Sequence, residues 1–379
     1  MKLIGCLVFS ALVLMAGCAG DDACEVWHYD LAHQPAEEAV AEELDAQHGL
    51  YVATLEIGTP AQEVDAIIDT GSANLVVMGP GCEGCAGVDY DPQASTTASD
   101  EGDAFQIAYG SAALSAMEMT DLVGLPCGDP IQASFGVATQ VAHLPASILG
   151  LAYASLAGPS EAPLTPWFDV MVNGGVLADI FALRLCGPER SGSHLKLGGT
   201  DESTDLARLR YTPIVEARYY AIAPPTFALG ETEVGSAASL TIIDSGTTLM
   251  LVPYEVHQAL VTALKAAADA QGVSAQIPEG VWTESPSDIS ARAALSEAEV
   301  AAFPPLTLTL KGEATGDTFE IEVTPERYLR RASSGDVYLG IRPGPDMTIL
   351  GQVFMEGLNV VFDRGATRIG LATTAVCGD

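Results

Sequence analysis

Two short motifs place an aspartate directly after an apolar run and directly before a hydroxyl residue and a glycine. The first reads Asp-Thr-Gly and begins at Asp69; the second reads Asp-Ser-Gly and begins at Asp244. Glycine permits the sharp turn that presents such a carboxylate at the end of a strand. If the two aspartates meet, repulsion keeps them from ionising together, so one acts as base and the other as acid toward a bound water. This chemistry needs no metal ion and no organic cofactor.

A repeat makes these motifs informative, because a single Asp-Thr-Gly is more typical of an ordinary turn. The residues before Asp69 and before Asp244 form the same apolar pattern, and an Ile-Leu-Gly element follows each copy, at 148–150 and at 349–351. The order of the elements is the same in both halves. The sequence therefore predicts two similar lobes that meet at one cleft.

The elements that must position these motifs are mostly β-strands. Short alternating apolar runs such as 50–57 are separated by Gly and Pro, whereas 256–270 has helical spacing. We therefore predict an all-β-dominated fold with two pseudo-symmetric β lobes and a few short helices, the N-terminal lobe over 49–200 and the C-terminal lobe over 201–379. Because both half-sites lie in one chain, we expect a monomer.

The composition indicates a packed and strongly acidic protein. Of the 379 residues 48% are hydrophobic, and 50 acidic against 16 basic residues give a net charge of −34. Such a charge repels phosphate backbones and anionic lipid headgroups, so neither nucleic acid nor direct membrane binding is expected.

The N-terminus has the pattern of an export signal. Lys2 precedes an apolar stretch that is too short to span a bilayer, and small residues follow before Cys18. The run before Cys18 resembles a bacterial lipoprotein cleavage box, which implies a signal peptide over 1–17 and lipidation of Cys18. An ordinary signal peptide or a buried thiol is the alternative. The acidic segment 18–48 is interpreted as a tether without function.

By the same resemblance, Ala19 after the cysteine favours an outer-membrane lipoprotein. We therefore expect an exported protein of the bacterial cell envelope, or a secreted one, that touches the membrane only through its lipid.

Six cysteines remain after Cys6 and Cys18 are set aside, and an even number in an exported chain suggests disulfides. Cys82 and Cys85 are compatible with a redox motif or half a zinc site, but no His or second Cys pair stands at ligand spacing. A local structural bridge between them is preferred.

From Gly49 to Cys377 the chain resembles the pepsin family, in which two aspartates share one proton. The resemblance implies the bilobal pepsin-like acid protease fold and an aspartic endopeptidase that acts on polypeptides at acidic pH, with Asp69 and Asp244 catalytic. It assigns supporting roles to the residues that follow them: Thr70, Gly71, Ser72, Ser245, Gly246 and Thr247. It assigns the flap and substrate contacts to Tyr109, Gly110, Ser111, Ile148, Tyr219, Thr248 and Ile349.

The C-terminal half is similar to the memapsin (β-secretase) branch, in segments such as 181–187 and 355–364. That branch bridges two corresponding cysteines, which implies a disulfide between Cys186 and Cys377. Cys24 and Cys127 would then remain as a pair.

Three departures from the pepsin pattern affect the flap and activation. Val76 replaces a common Trp that supports the flap, and Ala112 and Ala116 replace glycines near its tip. The chain has no basic pro-segment, since no Lys lies between Lys2 and Lys196. We therefore expect an enzyme that is active without removal of a pro-segment.

Other function classes have less support in the sequence. A binding lipoprotein that keeps the fold without cleaving is the main alternative. A phosphatase of the Asp-x-Asp type would need a second Asp where Gly71 stands, and no His lies in a recognisable Ser-hydrolase context.

Overall fold

The computed structural model describes residues 27–30, 32–34, 50–109, 112–126, 128–159, 162–187, 190–200, 206–286, 288–344, 346–374 and 377. The strands of the first half are β1 (Trp27–Asp30), β2 (Ala32–Gln34), β3 (Leu50–Ile57), β4 (Gln62–Asp69), β5 (Leu75–Glu83), β6 (Ser99–Tyr109), β7 (Ala112–Gly124), β8 (Ile131–Ala142), β9 (Ser147–Gly150), β10 (Ile180–Leu185) and β11 (His194–Leu197).

The strands of the second half are β12 (Arg210–Ala217), β13 (Tyr220–Ile222), β14 (Thr226–Leu229), β15 (Thr232–Ser236), β16 (Thr241–Ile243), β17 (Met250–Val252), β18 (Leu306–Lys311), β19 (Thr318–Val323), β20 (Leu329–Arg331), β21 (Val337–Leu339), β22 (Ile341–Pro343), β23 (Thr348–Leu350), β24 (Leu358–Asp363) and β25 (Arg368–Thr373). The helices are α1 (Trp167–Asn173), α2 (Tyr254–Gln271), α3 (Gly280–Thr283), α4 (Glu297–Ala301), α5 (Pro325–Tyr328) and α6 (Gln352–Met355). The predicted strand-dominated fold with a few helices is confirmed.

The two halves repeat one arrangement of three strands. In the first half β9 lies between β4 and β5, parallel to β4 and antiparallel to β5. In the second half β23 lies between β16 and β17 with the same directions. These strands are covered on both faces, which explains why the residues before each aspartate are continuously apolar instead of alternating.

The halves also share one sheet. Eight strands form the first-half sheet in the order β2-β3-β4-β9-β5-β8-β7-β6, and eleven strands from both halves form the order β1-β11-β10-β24-β25-β12-β13-β16-β23-β17-β22. A four-stranded sheet, β15-β14-β18-β19, and the hairpin β20-β21 complete the described sheets. Because β10 and β11 join second-half strands, the lobe boundary at 200/201 stays a prediction from the repeat.

A buried ionic cluster connects the first strand of the N-terminal lobe to the C-terminal lobe. Arg330 donates two hydrogen bonds to Glu356, at 2.8 and 3.1 Å, and both side chains are at most 5% exposed. The hydroxyl of Tyr51 donates to Glu356 at 3.1 Å and accepts the N–H of Gly187 at 2.8 Å. Burial, with the charge of Glu356, raises the pKa of Tyr51. Removing only one partner of such a buried pair lowers stability strongly, because the other charge stays buried without compensation.

The segment expected to be a tether contains two short strands that join the fold. β1 pairs with β11 at the edge of the eleven-stranded sheet, and β2 pairs with β3 at the edge of the eight-stranded sheet. Sequence patterning did not predict these strands. The rest of the segment, the signal 1–17 and Cys18 lie outside the described residues.

The long helix agrees with the helical spacing in the sequence. α2 runs from Tyr254 to Gln271 and ends at Gly272, whose φ of 74° is the left-handed conformation that glycine adopts at helix ends. Among the residues described, no helix is long and apolar enough to cross a membrane.

Two disulfides stabilise loops at different sequence distances. Cys82 and Cys85 are bonded at a sequence separation of 3, with their Cα atoms 5.6 Å apart, whereas Cys186 and Cys377 are bonded at a sequence separation of 191. Both are the pairs expected from the sequence. Cys24 and Cys127 lie outside the described residues.

Candidate active site

The two predicted carboxylates lie together at the junction of the lobes. Asp69 is the last residue of β4, and Asp244 follows β16 directly. A Cβ built on Gly71 would lie 2.6 Å from Cγ of Asp244, and one built on Gly246 would lie 2.6 Å from Cγ of Asp69. Each glycine therefore faces the aspartate of the opposite lobe, and its missing side chain leaves room for that carboxylate.

Four crossed hydrogen bonds join the two aspartate loops. The hydroxyl of Thr70 donates to the carbonyl of Ile243 at 3.0 Å and accepts the N–H of Ser245 at 2.9 Å. The hydroxyl of Ser245 donates to the carbonyl of Ile68 at 2.6 Å and accepts the N–H of Thr70 at 3.1 Å. Both hydroxyl residues are buried, so these bonds are shielded from competing water.

Local donors orient the carboxylate of Asp69. Oδ1 accepts the N–H of Gly71 at 2.8 Å, and Oδ2 accepts the hydroxyl of Ser72. Burial above all, and then the negative charge of Asp244, raise the pKa of Asp69 to about 8. The bonds from Ser72 and Gly71 favour the charged form and offset only part of this rise. The pKa of Asp69 therefore lies well above the usual range of a carboxyl group.

The carboxylate of Asp244 is held in the same way. Oδ1 accepts the N–H of Gly246 at 2.9 Å, and Oδ2 accepts the hydroxyl of Thr247 at 2.6 Å. The donors thus match those of Asp69 atom for atom. Within the described ranges, no three His, Cys, Asp or Glu side chains are grouped as metal ligands.

The predicted flap is a hairpin of β6 and β7. Tyr109 is the last residue of β6, and its backbone pairs with Ala112 at the start of β7. The side chain of Tyr109, and all of Gly110 and Ser111, lie outside what the structure describes. The roles predicted for these three residues stay predictions.

Residues that depart from the pepsin pattern pack with this hairpin in one buried cluster. Val76 is fully buried in one cluster with Phe105 of β6 and with Ala112 and Ala116 of β7. A Cβ on Gly136 would lie 2.8 Å from Cζ of Phe105 and 3.4 Å from Cγ2 of Val76. The ring of Phe105 therefore packs beside Val76, where it supports the hairpin from within the lobe.

The four other predicted substrate contacts differ in exposure. Ile148, on β9, is 4% exposed and belongs to the buried cluster of Val76, so it packs as core. Tyr219, Thr248 and Ile349 are partly exposed. Ile349 pairs with Ile242 on the strand that leads to the second aspartate.

Asn74 holds a loop that sequence patterning did not single out. Its side-chain amide donates to the carbonyl of Gly158 at 2.9 Å and accepts the N–H of the same residue at 2.8 Å. The amide thereby fixes the loop after β9 against the Asp69 loop. The available signal was its place three residues after Gly71 of the first motif.

Gln352 was also missed as a candidate. This fully buried residue begins α6, and its Nε2 donates to the carbonyl of Ser245 at 3.1 Å. Its N–H donates to the carbonyl of Thr247 at 2.8 Å. The signal was present in the repeat, since the polar Gln352 stands where the first copy has Leu151.

Two facing carboxylates, at equivalent strand ends of two similar lobes and joined by crossed hydroxyl bonds, define the architecture of the pepsin-like aspartic proteases. The family model described as "Eukaryotic aspartyl protease" matches residues 50–374, and the chain belongs to this family. The resemblance predicted from the sequence is confirmed.

The proteins to which the chain is similar include a β-secretase and a pepsin. The chain is 28% identical to a "Beta-secretase" of Strongylocentrotus purpuratus over 365 residues, which cover 86% of this chain and 67% of that protein. It is 29% identical to "Pepsin A" of Bos taurus over 356 residues, which cover 90% of this chain and 87% of that protein.

Proposed function

We propose that the protein is an aspartic endopeptidase that hydrolyses peptide bonds of polypeptide substrates with Asp69 and Asp244. One observation carries the proposal: each aspartate occupies the space left by the glycine of the opposite lobe, with every carboxylate oxygen oriented by a donor. Two carboxyl groups so placed can share one proton and hold a water between them.

In the proposed reaction the ionised carboxylate removes a proton from the bound water as the water oxygen attacks the peptide carbonyl carbon. The protonated carboxyl group donates a hydrogen bond to the carbonyl oxygen and stabilises the negative charge that develops on it. The carbon–nitrogen bond of the tetrahedral intermediate then breaks, and the nitrogen leaves with the proton taken from the water. The products are a carboxylic acid and an amine.

The reaction needs the singly protonated pair. The raised pKa of Asp69 supports retention of this proton at acidic pH. We accordingly propose an enzyme that works on the acidic side of neutrality.

The test uses purified protein without its lipid and an unstructured polypeptide substrate, over about pH 3–7. Cleavage with a maximum in acid, inhibition by pepstatin and no effect of a metal chelator are expected. An intact substrate at every pH, with the protein shown to be folded, would instead favour a non-catalytic binding lipoprotein with this fold.

We also propose that the protein is an exported monomer that is lipidated at Cys18 and anchored in the bacterial outer membrane. The lipidation rests on the signal-like pattern before Cys18, the outer-membrane location on Ala19 after it, and the monomer on the presence of both aspartate motifs in one chain. Mass spectrometry of the mature N-terminus should find a lipid on Cys18, and Cys18→Ser should release the protein into the soluble fraction. An unmodified terminus at another residue contradicts it.

The proposed mature chain is active without further cleavage. β1 and β2 support this, because they add backbone hydrogen bonds to both large sheets and belong to the folded protein. A chain that begins at Cys18 should match or exceed the activity of one that begins at Ala46. Activity in the shorter chain alone would show that the segment inhibits.

A further inference from the structure

Gln352 introduces a difference into an otherwise symmetric site. The strand register makes it the counterpart of Leu151: Leu350 pairs with Ile243 in the second half as Leu149 pairs with Ile68 in the first. The side chain of Leu151 has no donor to offer. The amide of Gln352 donates to the carbonyl of Ser245.

This carbonyl belongs to the peptide group that serves Asp244. The C=O of Ser245 and the N–H of Gly246 form one planar unit, and that N–H donates to Oδ1 of Asp244 at 2.9 Å. A hydrogen bond to the oxygen of a peptide group polarises it and strengthens its N–H as a donor. Gln352 therefore acts on Asp244 through one peptide bond.

The contact is firmly held. Gly351 precedes Gln352, and a Cβ at Gly351 would collide with the carbonyl oxygens of Thr247 and Leu249, so only glycine lets α6 approach the Asp244 loop this closely. The side chain of Gln352 is fully buried, and among described residues its Oε1 has no hydrogen-bond partner. A buried amide with an unsatisfied oxygen costs stability, which makes an apolar residue the simpler choice for packing alone.

We propose that Gln352 is a positioning residue that keeps the negative charge of the pair on Asp244 and the shared proton on Asp69. A stronger donor at Oδ1 favours the ionised form of the carboxylate it contacts. The Asp69 loop has the same N–H donor from Gly71 but no side-chain amide behind it. In the reaction proposed above, on which this inference rests, Asp244 is then the base and Asp69 the acid.

The rise of the Asp69 pKa to about 8 has the direction that this arrangement requires.

The experiment follows both carboxyl groups by ¹³C NMR in protein labelled at the aspartate side-chain carbons. Signals are assigned by their loss in Asp69→Asn and Asp244→Asn. In the wild-type chain Asp244 should ionise at the lower pH and Asp69 at the higher. In Gln352→Met, which is similar in length and cannot donate, the Asp244 step should rise by roughly 0.5–1 pH unit, so the two steps approach each other.

Two variants serve as controls. Gln276→Leu removes an exposed glutamine of the same lobe and should leave both steps unchanged. Gln352→Glu should keep the wild-type order in acid, since a buried carboxyl group stays protonated there and can donate to the same carbonyl. The acid limb of the kcat/KM profile should follow the Asp244 step in each variant.

A wild-type chain in which Asp69 ionises first overturns the proposal, and this measurement needs no variant to fold. The proposal is also overturned if folded Gln352→Met keeps the wild-type difference in pH between the Asp69 and Asp244 ionisation steps. Because the titration is read without substrate, a protein that titrates as expected but cleaves nothing would refute the proposed function and leave the charge assignment intact.

Discussion

The Asp69 loop and the Asp244 loop have the same hydrogen bonds to their carboxylates but different residues packed around them. In each loop the carboxylate accepts one hydrogen bond from a backbone N–H and one from a hydroxyl. Each loop also has a hydroxyl that donates a hydrogen bond to a carbonyl of the other loop. The surroundings differ: the first loop lies in the lobe of the β6–β7 hairpin with Leu151 behind it, and the second has Gln352 behind it. The duplicated backbone thus places the two groups, whereas single side chains around it distinguish their roles.

The largest expected effect tests whether both loops are needed for the proposed reaction. Asp69→Asn and Asp244→Asn should each lower kcat/KM by at least about 10³-fold, because either change removes the shared-proton pair. Peptide cleavage assays measure this loss, with circular dichroism as the check on folding. Substantial activity in one variant would mean that the loops are not equivalent partners in catalysis.

The two disulfides compare a local bridge with a long-range one. Replacing both Cys186 and Cys377 by Ser should lower the free energy of unfolding by up to about 5 kcal/mol, because the bond closes a loop of 191 residues. The pair Cys82 and Cys85 closes three residues, and its replacement should cost less than about 2 kcal/mol. Urea unfolding under non-reducing conditions measures both, and equal costs would contradict the expectation.

Removing the hydroxyl of Thr70 or of Ser245 tests whether the two loops contribute equally to stability. Thr70→Val and Ser245→Ala each remove two buried hydrogen bonds, and each should cost about 2 kcal/mol. A matched control is Thr262→Val, which removes a hydroxyl from an exposed helical position. If one variant costs far more than the other, the lobes do not share the junction equally.

A further expected effect is a pH dependence of stability. The pKa of Asp69 is about 8 in the folded chain against 3.8 for an ordinary group, so the folded state retains a proton that the unfolded state releases. Stability is therefore lost as the pH rises from about 4 to about 8. Asp69→Asn should lose less stability over this interval in urea titrations. A parallel loss in both proteins would place the effect elsewhere.

The repeat made the paired site predictable, while three features needed the fold itself. The apolar run before each aspartate predicted a buried strand. Because the run and the motif occur twice, the sequence also predicted that Asp69 and Asp244 are partners in one site. β1 and β2 could not be expected from their acidic surroundings, because a partner such as β11 is distant in sequence and the pairing is not encoded locally. The amide of Gln352 became meaningful only when the strand register placed it behind Ser245.

The crossed hydrogen bonds also set the order in which the site can be completed during synthesis. The hydroxyl and N–H of Thr70 find their partners 173 and 175 residues further along the chain. Because a chain emerges from its N-terminus, the first lobe can form while half of the junction has not yet been made. The nascent chain thus carries only one of the two carboxylates until nearly two-thirds of it exists, so the proposed reaction cannot begin before then.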